Sequence, residues 1–170
     1  NYFGNEYKDI QIDYAVEEER LGTGGAIKYA LNFCLEENVF ILNGDTFLDI
    51  DFRKVKELNK KKNLPIIVSR NVEDITRYGS LIHVDNKLID YREKEGEGEG
   101  EINAGCYYLP KKIMEKTQFK KSFSFEQISI PMIMKDPGFI VFNHEGIFID
   151  IGIPSDLKAA SDILRNYINY

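Results

Sequence analysis

A short apolar run, Val39 to Leu42, ends in Asn43-Gly44-Asp45. If the run is a buried strand, Asp45 stands at the carboxyl edge of a sheet. Ligands of open α/β folds bind there, because loops and helix N-termini converge on that edge. Gly44 lets a ligand come close to the backbone, and a hard carboxylate suits Mg²⁺, which takes one or two carboxylates plus substrate phosphates. The same three residues are good turn formers, so a plain turn accounts for them equally well. Phe148-Ile149-Asp150-Ile151-Gly152 repeats the pattern. An aspartate inside an apolar run is costly to bury unless it is paired or bound to a cation. A lysine partner or a capped loop would satisfy that condition, but two such aspartates at strand ends would also bracket one Mg²⁺.

Leu21-Gly22-Thr23-Gly24-Gly25-Ala26 is a glycine-rich break between a strand pattern and a helix pattern. Small residues there free the backbone to bind a flat base or a phosphate at a helix N-terminus; an ordinary tight connection fits as well. Lys94 follows a strand pattern and can neutralise an anionic substrate, although most lysines are simply solvated. Asn103, Gly105 and Ser124-Phe125-Glu126 put polar groups beside strands without defining a chemistry. Asp49-Ile50-Asp51 resembles the Asp-x-Asp of nucleotide-sugar-dependent glycosyltransferases, yet both aspartates fall where a helix starts and are good caps. His83 and His144 read as structural or solvated.

These residues need elements to hold them. Ile10, Ile12, Tyr14 and Val16 alternate with polar residues, which predicts a half-buried strand. Ala26, Ala30, Leu31 and Cys34 follow at helical spacing, and Val39 to Leu42 predicts a parallel strand buried on both faces. Phe52, Val55 and Leu58 mark a helix ending in Lys60-Lys61-Lys62, whose charges complement the helix dipole. Pro65 to Ser69 predicts the next buried strand. This order predicts an α/β domain with a mainly parallel, Rossmann-like sheet flanked by helices. Ser80 to Val84 and Leu88 to Tyr91 add a hairpin about Asp85-Asn86, and Ile102 to Leu109, Phe139 to Phe142 and Ile147 to Ile151 add strands. A helix is expected around Phe125 to Met134. A closing helix is expected after Pro154, capped by Ser155, with Leu157, Ala160, Leu164 and Ile168 on one face. Glu93 to Glu101 holds five glutamates and one lysine and predicts a mobile loop.

The 170 residues support one domain with a proper core. A net charge of −6 disfavours a nucleic-acid partner, and no apolar run approaches the roughly 18 residues of a membrane span. Cys34 and Cys106 are the only cysteines; without any Cys/His cluster they read as core residues in a reducing cytoplasm, not as zinc ligands.

Taken in order, seven segments resemble the sugar-1-phosphate nucleotidyltransferase family. They are Glu18 to Ala26, Leu42-Asn43-Gly44-Asp45, Arg77-Tyr78-Gly79, Glu93-Lys94, Asn103-Ala104-Gly105 with Tyr107, Ser124-Phe125-Glu126, and Phe148 to Pro154. Among its branches, the wording of the Leu21 to Gly25 and Asp150 to Pro154 segments is most similar to the heptose 1-phosphate guanylyltransferases. The resemblance implies a nucleotide site at Leu21, Gly22, Thr23, Gly24, Asn43 and Gly44. It implies Mg²⁺ on Asp45 and Asp150, with Lys94 on the sugar phosphate. Gly79, Glu93, Asn103, Gly105 and Glu126 would line the sugar pocket.

The implied partners are a nucleoside triphosphate, most similar to GTP use, and a sugar 1-phosphate, with no nucleic acid and no membrane. A homo-oligomer stays compatible with the sequence. Family members open with a strand and an Arg-containing, glycine-rich triphosphate loop, and none precedes Ile10. The chain is therefore expected to be an N-terminally truncated domain over residues 1–170, lacking one strand–loop–helix unit of roughly 30 or more residues, and impaired in catalysis. A glycosyltransferase and a non-catalytic nucleotide-sugar-binding protein are the competing expectations.

Overall fold

The computed structural model of the chain describes residues 3–115 and 121–168. The strands are β1 (Glu6–Tyr7), β2 (Ile10–Gln11), β3 (Asn38–Leu42), β4 (Thr46–Leu48), β5 (Ile66–Val72), β6 (Gly79–Val84), β7 (Lys87–Glu93), β8 (Gly100–Pro110), β9 (Ile140–Asn143) and β10 (Phe148–Asp150). The helices are α1 (Gly22–Ala30), α2 (Phe52–Lys62), α3 (Lys112–Glu115), α4 (Ile130–Lys135) and α5 (Pro154–Ile168). A 3₁₀ turn, Leu31–Phe33, extends α1, and a π-helical turn, Phe125–Ser129, leads into α4.

Six strands form the main sheet in the order β3-β8-β5-β9-β7-β6, and β4 with β10 forms a separate two-stranded ribbon. The sheet is mixed, which corrects the expectation of a mainly parallel one. Only β5 and β9 pair in parallel among the described strands. The helical connections do leave β3 and β5 pointing the same way, as alternating elements predict. The eleven-residue β8 then inserts between them, antiparallel to both. That insertion comes from the far side of a hairpin, so no local period in β3 or β5 announces it.

Two further strand expectations change. Val39 to Leu42 forms β3, but at the sheet's edge among the described strands rather than buried on both faces; Leu42 is 49% exposed. The alternation from Ile10 to Val16 yields only a short ribbon of β1 and β2, with Ile10 63% and Val16 72% exposed. A half-buried strand needs a sheet beneath it, and the described residues offer none there.

Side chains alternate between the sheet's faces along each strand. Ile67, Tyr107 and Leu109 pack on one face against Phe125, Ile130 and Ile133 of the π-turn and α4. Ile66, Val68, Cys106 and Tyr108 pack on the other with Val55 of α2. Local chemistry sets the element ends. Asp51 caps α2 by accepting from Arg53 N at 3.0 Å, and Asn63, at φ +53°, stops it. Asp85 and Asn86 take φ of 50° and 61°, the two positive values of the tight hairpin turn expected between β6 and β7. Ser155 does not cap α5: the helix already begins at Pro154, which suits a first helical position. On α5 Ala160 is buried and Leu157 exposed, while the side chain of Ile168 lies outside the described residues. The Glu93 to Glu101 stretch is shorter as a loop than expected. Gly100 and Glu101 belong to β8, and the loop is clipped by Ile75 N donating to Gly98 O at 3.0 Å. No helix among the described residues is long and apolar enough to cross a membrane.

Candidate active site

The strand β3 ends beside β8, where Asn43 N donates to Gly105 O at 2.9 Å. Gly105 sits at φ +68°, in a bulge where residues 104–106 face the single residue Val68 of β5. A Cβ on Gly105 would come within 2.5 Å of Asn43 Nδ2, so glycine is required for Asn43 to lie against the bulge. Asp45 follows after Gly44. The chain then turns into β4, which pairs with β10 so that Thr46 lies opposite Asp150. Ile151 N donates to Asp45 O at 2.9 Å, closing that end of the ribbon. The two aspartates, far apart in sequence, thus meet at one end of one short ladder.

They line a cleft of about 560 Å³. It gathers Gly22, Thr23, Asn43, Asp45, Gly79, Glu93, Lys94, Asn103, Gly105, Glu126 and Asp150, all singled out from sequence. Leu21 and Gly24 do not reach it: Leu21 is buried, and the ring of Phe123 lies over Gly24. Gly44 stands next to Asp45 on the exposed turn without lining the cleft.

The glycine-rich segment also corrects an expectation. Gly22 to Gly25 form the first turn of α1, not a loop, and Gly24 N and Gly25 N both donate to Phe123 O. A Cβ on Gly24 would lie 2.2 Å from the Phe123 ring, and one on Gly22 2.6 Å from Phe123 O. The glycines therefore admit the segment before the π-turn, which seals this end of the cleft. Thr23 completes the joint: its hydroxyl donates to Glu126 Oε2 at 2.6 Å and accepts from Phe125 N at 2.8 Å. Ser124 Oγ donates to the same glutamate oxygen at 2.8 Å.

Another part of the lining consists of paired polar groups. Tyr91 donates its hydroxyl to Glu93, and Asn103 Nδ2 donates to Tyr107 Oη at 2.6 Å. Burial first, and the Glu93 carboxylate second, push the Tyr91 hydroxyl well above its ordinary range; burial alone does most of this for Tyr107. Both tyrosines stay neutral at physiological pH. Gly79 leaves room for this wall, since a Cβ there would meet Tyr91 Oη at 2.2 Å. Lys94, at φ +55°, ends β7 and is tied back by its N–H to Tyr78 O at 3.1 Å.

Sequence reasoning missed several lining residues. Arg77 donates to Asp150 Oδ2 at 3.2 Å and to Asp156 Oδ2 at 2.8 Å. The Tyr78 hydroxyl is pushed up by burial first and by the charge of the nearby Asp150 carboxylate second. Thr46, Tyr91, Phe123, Gln127 and Phe148 also line the space. Arg77 and Tyr78 were visible only as part of an ordered motif, because no local pattern tells a guanidinium on a carboxylate from a solvated one.

The residues fit a magnesium ion. Asp45 takes only the neighbouring Thr46 hydroxyl, at 3.4 Å, among the described residues. No cluster of three or more His, Cys, Asp or Glu that would enclose a metal exists among them. Two carboxylates in an open, polar cleft match a cation that keeps waters and takes substrate phosphate oxygens. Asp49 and Asp51 do not line this cleft. Asp49 pairs with the buried His144, at 3.1 Å from Nε2, and Asp51 caps α2. His83 is likewise engaged elsewhere, 2.8 Å from Glu101 Oε2.

A mixed sheet between helices, with a polar cleft at the carboxyl end of β3 floored by two aspartates, defines the α/β fold of nucleotidyltransferases. The chain belongs to the nucleotidyl transferase family, whose model matches residues 1–166, and it is an enzyme of that class. It is 41% identical over 169 residues to a D-glycero-α-D-manno-heptose 1-phosphate guanylyltransferase of Aneurinibacillus thermoaerophilus, covering 98% of this chain and 73% of that one. A Campylobacter jejuni protein of the same name is 40% identical over 158 residues, covering 91% and 68%. The crystal structure of HddC from Yersinia pseudotuberculosis superposes with a TM-score of 0.77 at 38% identity, over 91% of this chain and 67% of that one. A Bacillus anthracis protein solved with a sucrose shares the fold, with a TM-score of 0.83 at 20% identity, over 95% of this chain and 68% of that one.

Proposed function

We propose that the chain transfers GMP from GTP to a heptose 1-phosphate, yielding a nucleotide-sugar for surface polysaccharide and releasing pyrophosphate in the cytoplasm. Asp45 and Asp150 at the same end of the β4–β10 ribbon, both lining the cleft, carry this reading. The guanylyltransferase relatives support the choice of base and sugar.

The nucleophile is a phosphate monoester, whose second pKa of about 6 leaves it mostly dianionic at pH 7. It needs no general base, and neither histidine lines the cleft. The difficulty is to align two anions that repel each other. Asp45 and Asp150 would hold Mg²⁺, which when bound neutralises phosphate charge and orients the triphosphate. Lys94 offers an ammonium to the sugar phosphate from the end of β7. Gly22, Thr23 and Asn43 line the cleft with small and polar groups that suit the nucleotide. Gly79, Glu93, Asn103, Gly105 and Glu126 offer sugar hydroxyls both carboxylate acceptors and an amide.

The test is pyrophosphate release with each of four nucleoside triphosphates against heptose-, mannose- and glucose-1-phosphate. GTP with the heptose phosphate should give the highest kcat/KM; equal rates with all four bases would sink the assignment of the base. A glycosyltransferase would instead transfer sugar from a nucleotide-sugar and release no pyrophosphate. A pure nucleotide-sugar-binding protein would show binding without release, and Asp45→Asn would leave that binding nearly intact.

A further inference from the structure

Arg77 lies between β5 and β6, with its side chain 39% exposed at the cleft wall. One guanidinium nitrogen pairs with Asp150 Oδ2 at 3.2 Å, and another pairs with Asp156 Oδ2 at 2.8 Å in the first turn of α5. The guanidinium carbon sits 5.4 Å from the centre of the Tyr78 ring. The other Asp150 oxygen, Oδ1, accepts from Gly152 N at 2.8 Å. Both oxygens of Asp150, whose side chain is only 15% exposed, are therefore held by protein donors. Asp45, at the same end of the ribbon, has no cationic partner among the described residues.

We propose that Arg77 is a positioning residue that acts as a stand-in cation on Asp150 and makes metal loading depend on nucleotide. This rests on the reading of Asp45 and Asp150 as the metal-holding pair. A free divalent cation approaching the pair meets a fixed positive charge that already holds one of the oxygens it needs. The repulsion between that charge and the ion opposes loading. A metal–triphosphate complex carries net negative charge, so the same guanidinium attracts it. Arg77 thus disfavours the bare ion and favours the ion that arrives on its substrate, an opposition of sign that mere bracing of Asp150 would not produce. Asp156 keeps the guanidinium within reach of the cleft when Asp150 turns to the metal.

The experiment measures free Mn²⁺ by electron paramagnetic resonance during titration of the protein, with and without GTP. It compares the parent with Arg77→Gln, Arg77→Lys, Asp45→Asn and Asp150→Asn. For a half-exposed charge beside the site, Arg77→Gln should bind free Mn²⁺ about tenfold more tightly and Mn²⁺–GTP about tenfold more weakly. Arg77→Lys, which keeps the charge, should stay near the parent in both. The proposal is overturned if Arg77→Gln binds free Mn²⁺ no more tightly than the parent, or if Arg77→Lys matches Arg77→Gln. Asp45→Asn and Asp150→Asn should each weaken Mn²⁺ binding. If neither does, the aspartates are not the metal pair, and that reading fails before the one about Arg77 is reached.

Discussion

Replacing Gly105 by alanine perturbs the bulge that sets the Asp45 strand end, and its effect can be worked from the backbone. At φ +68° an alanine occupies the left-handed region, at about 1–2 kcal/mol. Its Cβ would also lie 2.5 Å from Asn43 Nδ2 and 2.7 Å from Asn43 Cγ, so Asn43 must move or the strand end must shift. Overpacking of that kind adds about 1–3 kcal/mol. Gly98 supplies the control: it sits at φ +81°, and a methyl group there would have nothing within 4 Å. Gly98→Ala carries the conformational part alone, and both variants gain the same small benefit from a stiffer unfolded chain. Urea unfolding should therefore place Gly105→Ala about 1–3 kcal/mol below Gly98→Ala, with similar m-values. Because Asn43 precedes Asp45 by two residues, Gly105→Ala should also lower the rate of pyrophosphate release, whereas Gly98→Ala should not. Equal stability and equal turnover for the two variants would refute the account of the bulge.

Asp45→Asn and Asp150→Asn should each reduce pyrophosphate release by about 10²–10³-fold while circular dichroism stays native, since charge stabilisation of that order is lost with one electrostatic group. Burial pushes the Cys106 thiol up to about 12 from 9.0, so a native-state thiol assay at pH 8 should label Cys34 and spare Cys106. A thiol raised in the folded state contributes stability that is complete below its unfolded value and lost as pH climbs toward the folded one. Unfolding free energy should accordingly fall between pH 9 and about 12, by at most about 1.4 kcal/mol per pH unit from this group. Cys106→Ala should remove that share of the slope, as read from urea midpoints across the range. Phe125→Ala, which empties a fully buried site where the π-turn meets Tyr107, should cost about 3–5 kcal/mol in the same assay.

Much of the cleft was legible because each piece was marked by a local chemical need. Asp45 and Asp150 stood out as carboxylates at the ends of apolar runs, and Asp85-Asn86 as a pair able to take two positive φ values. The lack of side chains at the glycines from 22 to 25 is plain in the sequence, but the reason for it is not. The body that needs the space is Phe123, distant along the chain, and nothing near Gly24 in sequence names it. Arg77 was hidden for a similar reason, since its partners Asp150 and Asp156 are reached only through the fold.

The chain's own order of residues determined which groups take part: two aspartates, a strand-end lysine, a hairpin with its turn, and α2 with its Asp51 cap. Those features depend on dihedral preferences and hydrogen bonds within a few residues, so they can be read along the line. Tertiary structure alone decided that β8 enters between β3 and β5 and turns an expected, mainly parallel sheet into a mixed one. It alone decided that Asp45 and Asp150 lie at one end of one short ribbon, and that a guanidinium already holds one of them. Pairings between distant strands are chosen by the packing of both sheet faces at once, and that choice exists only when the whole chain is folded.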